Sequence, residues 1–325
     1  MHNTRLVSKR SFKTRMSWHL VYEWEDQLIE SLSLPWIRRG RFGFWLRRQL
    51  AICGLTRRGK SREFMFQMRA MGPEKGRSGR NTVACVIDYF VPRSQTEAYL
   101  RTIRKAPLTL FTSREAYEWL LHNAPADMKP RLGHLPISLP DKYMPAPGQT
   151  FDKDIDVLII GRRSPKMESF LIGYLQDHPD LVIAKRATAS RRSGFYTSKN
   201  EYIGQADTRQ EYLALLRRTK VLLYTTPGYD GEKSTAGFSQ VTPRFLEGLA
   251  CGCRFVLRYP DNADTRWFDL SAFGPSVETT AQFTAELNRA FSAPADMDAY
   301  RQYLARHLTS VRAASLATLL RGDNP

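Results

Sequence analysis

The chain has 325 residues, 42% of them hydrophobic and 11% aromatic, enough for two ordinary cores and too much for a disordered polymer. Four cysteines (Cys53, Cys85, Cys251, Cys253) follow neither metal nor disulfide-framework spacing, which argues against those classes and suits a reducing, cytoplasmic setting. No apolar run reaches the ~18–20 residues of a membrane span, and the basic start MHNTRLVSKRSFKTR has no apolar segment behind it, so no secretory signal is expected.

The net charge of +17 is concentrated at one end: residues 1–80 carry 18 Lys/Arg against 6 Asp/Glu. A focused charge attracts an anionic surface, whether nucleic acid, bilayer or phosphorylated acceptor. Within it, WIRRGRFGFWLRRQL (36–50) interleaves Trp36, Phe42, Phe44 and Trp45 with Arg38, Arg39, Arg41, Arg47 and Arg48. That mixture suits the boundary between headgroups and acyl chains. The alternative is a domain helix with its aromatics in the core and its arginines solvated. No ribonucleoprotein motif or zinc finger accompanies the charge, so no specific nucleic acid is expected and an anionic membrane surface contacted through residues 1–60 ranks higher.

In chain order, Trp18–Leu32 is predicted helical, and Glu63–Met71 fits either helix or strand. Thr82–Phe90 is a strand by its length and β-branched content. Ser94 and Glu97 form a capping-box pattern for a helix through Lys105, Leu108–Phe111 is a strand, and Thr112 with Glu115 would cap a helix through His122. The proline-rich stretch 130–148 reads as an interdomain connection. Ile155–Ile160 is then a strand, Lys166–Asp177 a helix, Leu181–Lys185 and Glu201–Ile203 strands. Thr208 and Glu211 cap a helix through Arg218. Val221–Thr225 is a strand, Pro243–Ala250 a helix, Arg254–Arg258 a strand, and Gly274–Val277 a candidate sixth. Helices over Ala281–Phe291 and Met297–Leu320 close the chain. This alternation predicts an α/β protein with two doubly wound, Rossmann-like domains, 1–147 (irregular at its start) and 148–325, with ligands beyond the strand carboxyl ends after Ile160, Thr225 and Tyr259.

The most informative stretch is GFSQVTPRFLEGLACGCRFVLRY (237–259): a glycine-bearing loop, a helix opening at Thr242-Pro243, one acid, a small-residue turn and a buried strand. Threonine at the cap and proline at the first helical position leave backbone N–H groups that favour an anion. Gly228, Gly231 and Gly237 give the preceding loop freedom to fold around a ligand. Gly161-Arg162-Arg163-Ser-Pro-Lys166 follows the first strand of this half; its bland alternative is a solvated basic loop. Lys233 and Arg244 are further phosphate candidates. Asp152–Asp156 contains DxD patterns, but these precede a strand and read as a solvated strand entrance, so no metal site is assigned. His134 reads as structural or solvent-exposed, and Asp88, at a strand end, is a conceivable acceptor-side base.

Residues 155–260 resemble the C-terminal domain of GT-B glycosyltransferases, of the group 1, family 4-like kind that assembles bacterial polysaccharide or lipopolysaccharide. The resemblance covers about a third of the chain, extends over 81–150, and does not include 1–80. It implies that Arg162 and Lys166, at the Gly161 turn, bind the donor diphosphate and stabilise charge on the leaving nucleotide, with Arg163 an adjacent candidate. Glu247 matches the glutamate that holds the ribose, and the family's other glutamate, which contacts the donor sugar, is replaced here by Ser239. Gly237, Ser239, Val241, Thr242, Pro243 and Arg244 complete the implied donor contacts. The implied function is metal-independent, retaining hexosyl transfer from a nucleoside-diphosphate sugar to a glycan, lipid-linked or other cell-surface acceptor, with no cofactor beyond the donor. The protein would be cytoplasmic or peripheral on the inner face of the membrane. The alternatives are a non-catalytic nucleotide- or carbohydrate-binding relative and a basic nucleic-acid-binding protein.

Overall fold

The computed structural model describes residues 4–53, 61–70, 78–187, 194–231 and 233–321. Met71 and residues 54–60 of the basic region lie outside the described residues. The chain divides into two compact units, one comprising 1–141, 232–240 and 308–325, the other 142–231 and 241–307.

Unit 1 runs β1 (Thr4–Ser8), α1 (Met16–Leu32), β2 (Trp36–Arg38), α2 (Arg41–Ile52), β3 (Arg62–Arg69), β4 (Thr82–Asp88), α3 (Thr96–Ile103), β5 (Leu108–Phe111), α4 (Arg114–Asn123) and β6 (Leu132–His134). Its sheet has the order β2-β1-β3-β4-β5-β6, and every pairing is parallel. Covered on both faces, β4 is buried from Val83 to Ile87, which is why its sequence is a continuous apolar run. In α1, Trp18, Val21, Trp24 and Leu28 form the inward stripe expected of a 3.6-residue repeat. Glu25 lies on the same face, accepting from Ser8 Oγ at 2.6 Å and pairing with Arg10.

Unit 2 runs β7 (Ile155–Ile159), α5 (Pro165–Asp177), β8 (Ile183–Arg186), β9 (Phe195–Thr197), β10 (Tyr202–Gly204), α6 (Arg209–Arg217), β11 (Thr219–Thr225), α7 (Pro243–Ala250), β12 (Arg254–Arg258), α8 (Ala263–Trp267), α9 (Thr280–Ser292) and α10 (Met297–Ala305). Its sheet order is β10-β9-β8-β7-β11-β12, parallel from β8 to β12 and antiparallel through β9 and β10. Helix α7 packs closely on β12 because Gly248 carries no side chain: a Cβ there would stand 2.7 Å from Phe255. Cys251 and Cys253 are buried, and their thiols lie near the Leu213 and Leu216 carbonyls, as packing residues would.

Several expectations need correction. The Ser94–Glu97 capping box does not form: a 3₁₀ turn over Arg93–Gln95 intervenes, and α3 starts at Thr96, whose hydroxyl donates to the Arg93 carbonyl. Thr112 does not cap α4, because its hydroxyl donates to the Ile87 carbonyl; Ser113 accepts from Ala116 N–H instead. The stretch 130–148 contains a strand, β6, and Gly274–Val277 makes only one bridge, Ser276 with Leu257. Met297–Leu320 is two helices broken at 306–308. The second, α11 (Thr309–Arg321), belongs to unit 1, where it packs on α1 and Thr309 lies 3.0 Å from Ser138. The Thr208–Glu211 box forms as expected.

Candidate functional site

The parallel strands of unit 2 bring the loops after β7, β11 and β12 to one sheet edge, the edge at which such sheets take ligands. Two helices begin there. Helix α5 is capped by Ser164, which accepts from Met167 N–H at 3.3 Å while its hydroxyl donates to Asp230. Helix α7 opens with Thr242 in extended conformation and Pro243 at its first position. Thr242 makes no side-chain cap bond; its backbone N–H donates to the Tyr224 hydroxyl at 2.9 Å and its own hydroxyl lies 3.3 Å from the same oxygen. The α7 N-terminus therefore lacks the side-chain acceptor that a capping threonine usually supplies.

Arg244 ties α7 to the turn after β7. Gly161 adopts φ +74°, and a Cβ there would come within 2.7 Å of the Arg244 guanidinium, so conformation and packing both require glycine. Arg244 Nη1 donates to the Arg162 carbonyl at 3.3 Å, and the guanidinium lies 5.8 Å from the Tyr224 ring centroid. A cation in the first turn opposes the helix dipole, which concentrates positive potential at this edge.

The remaining sequence-predicted residues divide. Lys166 lies 3.5 Å from Glu278, whereas Arg163, in the turn before α5, is engaged by Glu168 in the first turn of that helix. Glu247 is 3% exposed; Arg209 Nη1 donates to one of its oxygens at 2.6 Å and the Tyr212 hydroxyl to the other at 2.9 Å. The carboxylate thus faces α6 and is satisfied by protein donors. Burial, and then the Glu247 charge, push the Tyr212 hydroxyl well above its ordinary range. Val241 is buried.

Gly237, Ser239 and Lys233 fall in the segment assigned to unit 1. Gly237 has φ +82°. Phe238 enters the aromatic cluster of Tyr89, Tyr99 and Phe111, Ser239 N–H donates to Glu115 at 3.1 Å, and Gln240 Nε2 donates to Asp88 at 3.0 Å. Asp88 accordingly stands at the carboxyl end of β4. His134 stacks on Tyr117, and burial with the nearby Arg114 charge lowers its pKa to about 3, so it is neutral at pH 7.

Sequence reasoning missed four residues at the unit 2 edge: Arg258, Asp230, Glu278 and Tyr229. Arg258, 6% exposed at the end of β12, donates to Asp230 and Glu278, each at 2.8 Å, and to the Val277 carbonyl at 2.7 Å. The Tyr229 hydroxyl also donates to Glu278. Burial opposes ionisation of Glu278, but these bonds outweigh it and hold its carboxyl below the usual range. The available signal was an arginine closing an otherwise apolar strand. A cavity of about 680 Å³ elsewhere in unit 2 is lined by residues including Arg254, Phe273, Tyr300 and Arg306. The hydroxyls of Tyr300 and Tyr303 there donate to backbone carbonyls, so its polar tips serve the fold. Among the described residues no cluster of His, Cys, Asp and Glu could hold a metal ion.

The sequence matches no protein-family profile and no curated protein. Solved structures do share its fold. AviGT4, a glycosyltransferase involved in avilamycin A biosynthesis, is similar with a TM-score of 0.61 at 14% identity, over 98% of this chain and 96% of its own. A UDP-forming α,α-trehalose-phosphate synthase from Burkholderia xenovorans gives 0.54 at 13% identity, over 87% and 79%. A putative UDP-N-acetylglucosamine 2-epimerase from Listeria monocytogenes gives 0.50 at 8%, over 98% and 96%. At such identities the likeness establishes the fold, and the chain has the expected GT-B fold of two Rossmann-like units.

Proposed function

We propose that the protein is a glycosyltransferase that binds a nucleoside-diphosphate sugar at the carboxyl edge of the unit 2 sheet. The observation that carries this reading is the convergence of Arg244, the Gly161-Arg162 turn and two helix N-termini, a concentration of positive potential suited to a diphosphate. Arg162, Arg244 and Lys166 would neutralise the charge that develops on the leaving diphosphate as the glycosidic bond to the donor breaks, which makes a metal ion dispensable. Gly161 and Pro243 shape this edge, and Arg163 holds the start of α5 through Glu168. Glu247 supports the site by fixing α6 against α7, and any ribose contact would use its remaining lone pairs. From the sequence resemblance alone, Ser239, Gly237 and Val241 are proposed to influence donor-sugar choice. Retention of anomeric configuration and a glycan or lipid-linked acceptor are further parts of the proposal, resting on the sequence resemblance.

The two structural relatives with UDP in their names make uridine diphosphate the first probe. A specific diphosphate at ~100 times its Kd stabilises its binder by about 2.7 kcal/mol, or about 5–10 °C for a domain of ordinary size. A thermal-shift panel of nucleoside diphosphates should show one such shift, weakened by Arg244→Ala. No shift with any diphosphate would overturn the assignment. An epimerase shares the fold, so product analysis with the identified nucleotide sugar separates transfer or hydrolysis from epimerisation, and binding without turnover would indicate a non-catalytic relative.

A further inference from the structure

Helix α2 is amphipathic the wrong way round. Of the eight large hydrophobic side chains exposed among the described residues, five lie between positions 36 and 50: Trp36 (39%), Phe42 (70%), Trp45 (53%), Leu46 (42%) and Leu50 (36%). Phe42, Trp45, Leu46 and Leu50 follow i, i+3, i+4, i+8 spacing, so they form one stripe. That stripe faces solvent. The opposite side faces the protein with Phe44, which packs edge-on against Phe12, and with Arg47, which pairs with buried Glu63. A helix whose inward face holds an ion pair and whose outward face holds aromatic and leucine side chains is not explained by the core of unit 1.

Basic groups border the stripe. Arg38 and Arg41 are exposed, and the Arg10 and Arg38 guanidinium groups each lie 5.4 Å from the Trp36 ring centroid. Phe42 and Trp45 stack at 5.7 Å and present a joined apolar surface. Residues 1–80 carry the 18-to-6 excess of basic over acidic side chains.

We propose that α2 with Trp36 is an interfacial anchor that seats unit 1 on an anionic lipid bilayer, the helix lying in the plane of the surface. Phe42, Trp45, Leu46 and Leu50 would enter the boundary with the acyl chains, while Arg38 and Arg41 meet lipid phosphates. A second copy of this chain fits the patch less well, since a two-fold contact would set its arginines against one another. A nucleic acid would use the arginines and aromatic rings but leave Leu46 and Leu50 without a role. The helix cannot span a bilayer, so attachment is reversible and depends on both the apolar stripe and the charge.

Flotation of the full chain tests this with vesicles of phosphatidylcholine alone or mixed with phosphatidylglycerol, in the absence of sugar nucleotide. Wild type should float with the anionic vesicles and release as salt rises. F42S/W45S/L46S should weaken binding by about tenfold or more even at low salt, because the lost apolar area carries the insertion. R38E/R41E should lose the preference for anionic lipid. All five positions are exposed, so melting temperatures should stay at the wild-type value. Quenching by brominated lipid should fall in Trp45→Phe, which reports insertion directly. The proposal fails if wild type does not float, or if the serine variant floats like wild type. It also fails if the variants abolish binding to an RNA or DNA oligonucleotide, or convert a dimer to a monomer, while flotation is unchanged. These outcomes are independent of nucleotide binding, so the donor-site reading and this one stand or fall separately.

Discussion

Replacing Glu247 by alanine should chiefly damage the stability of unit 2. The carboxylate is 3% exposed and Arg209 is 8% exposed, so their 2.6 Å bond is made away from water. Removing one partner of such a pair leaves the other charge desolvated, at a cost of about 3–5 kcal/mol, which also exceeds the benefit of the pair over an apolar replacement. For a domain of ~150–250 residues this lowers the melting temperature by about 6–20 °C. Tyr212 also loses its acceptor, at a further cost of about 1 kcal/mol or more. Glu247→Gln, which keeps an oxygen of the same shape, should fall between. Adding Arg209→Met to Glu247→Ala should recover part of the loss, because the stranded charge is then gone. Calorimetric melting of the four proteins gives the cycle, and titration with uridine diphosphate gives the ligand side. If Glu247→Ala melts within about 2 °C of wild type and loses nucleotide affinity, the carboxylate serves the ligand directly and the packing argument is wrong.

Gly161→Ala imposes a left-handed conformation on a residue with a Cβ, at about 1–2 kcal/mol, and pushes that Cβ against the Arg244 guanidinium. Diphosphate affinity should fall by about tenfold or more as Arg244 is displaced; a lower melting point with unchanged affinity would remove Arg244 from the binding site. In unit 1, burial, stronger than the bonds from Ser8 and Arg10, pushes Glu25 up to about 7. Between the ordinary carboxyl range and pH 7 the folded chain therefore keeps a proton that the unfolded chain gives up, so this residue lowers stability as pH rises. Its contribution is about 3 kcal/mol. The stability of Glu25→Gln relative to wild type, from urea titrations between pH 4.5 and 7.5, should grow by about that amount; a pH-independent difference would refute the linkage.

Long apolar strands and strongly punctuated helices were legible in the sequence. The Thr208 box, Pro243 and the run ahead of Asp88 carry their signals within a few neighbouring residues. Strands β1, β6 and β9 were not legible, being three to five residues long and paired only through the sheet. The return of α11 to unit 1 was hidden for a different reason: its pattern announces a helix but does not specify which core it packs on. The candidate site shows the same division. Gly161, Lys166 and Arg244 stood within recognisable turns and helix starts. The Arg258 bonds to Asp230 and Glu278 join residues 28 and 20 positions apart, which no local pattern records. Glu247 was singled out by position, but its partners on α6 lie 35 and 38 residues away.

Two places in the chain are better explained by an external partner than by folding. Helix N-termini favour acids: α6 has Glu211 and α5 has Glu168 in their first turns, whereas α7 has Arg244 and no acid. The Arg162 carbonyl and the Tyr224 ring help hold that arginine in place, yet neither is an anion that would balance the charge. A diphosphate would convert the unfavourable arrangement into several charge-assisted hydrogen bonds. Similarly, α2 turns its apolar stripe away from the core while α1, in the same unit, turns its own inward. Local violations of this kind are expected where function and stability compete. They also make separable predictions: Arg244→Ala should relieve charge strain while weakening nucleotide binding, and the α2 serine variant should remove apolar side chains from water while weakening lipid binding. Stability retained with binding lost, in each case, is the signature of a site, whereas stability lost in either would show that the residue belongs to the fold after all.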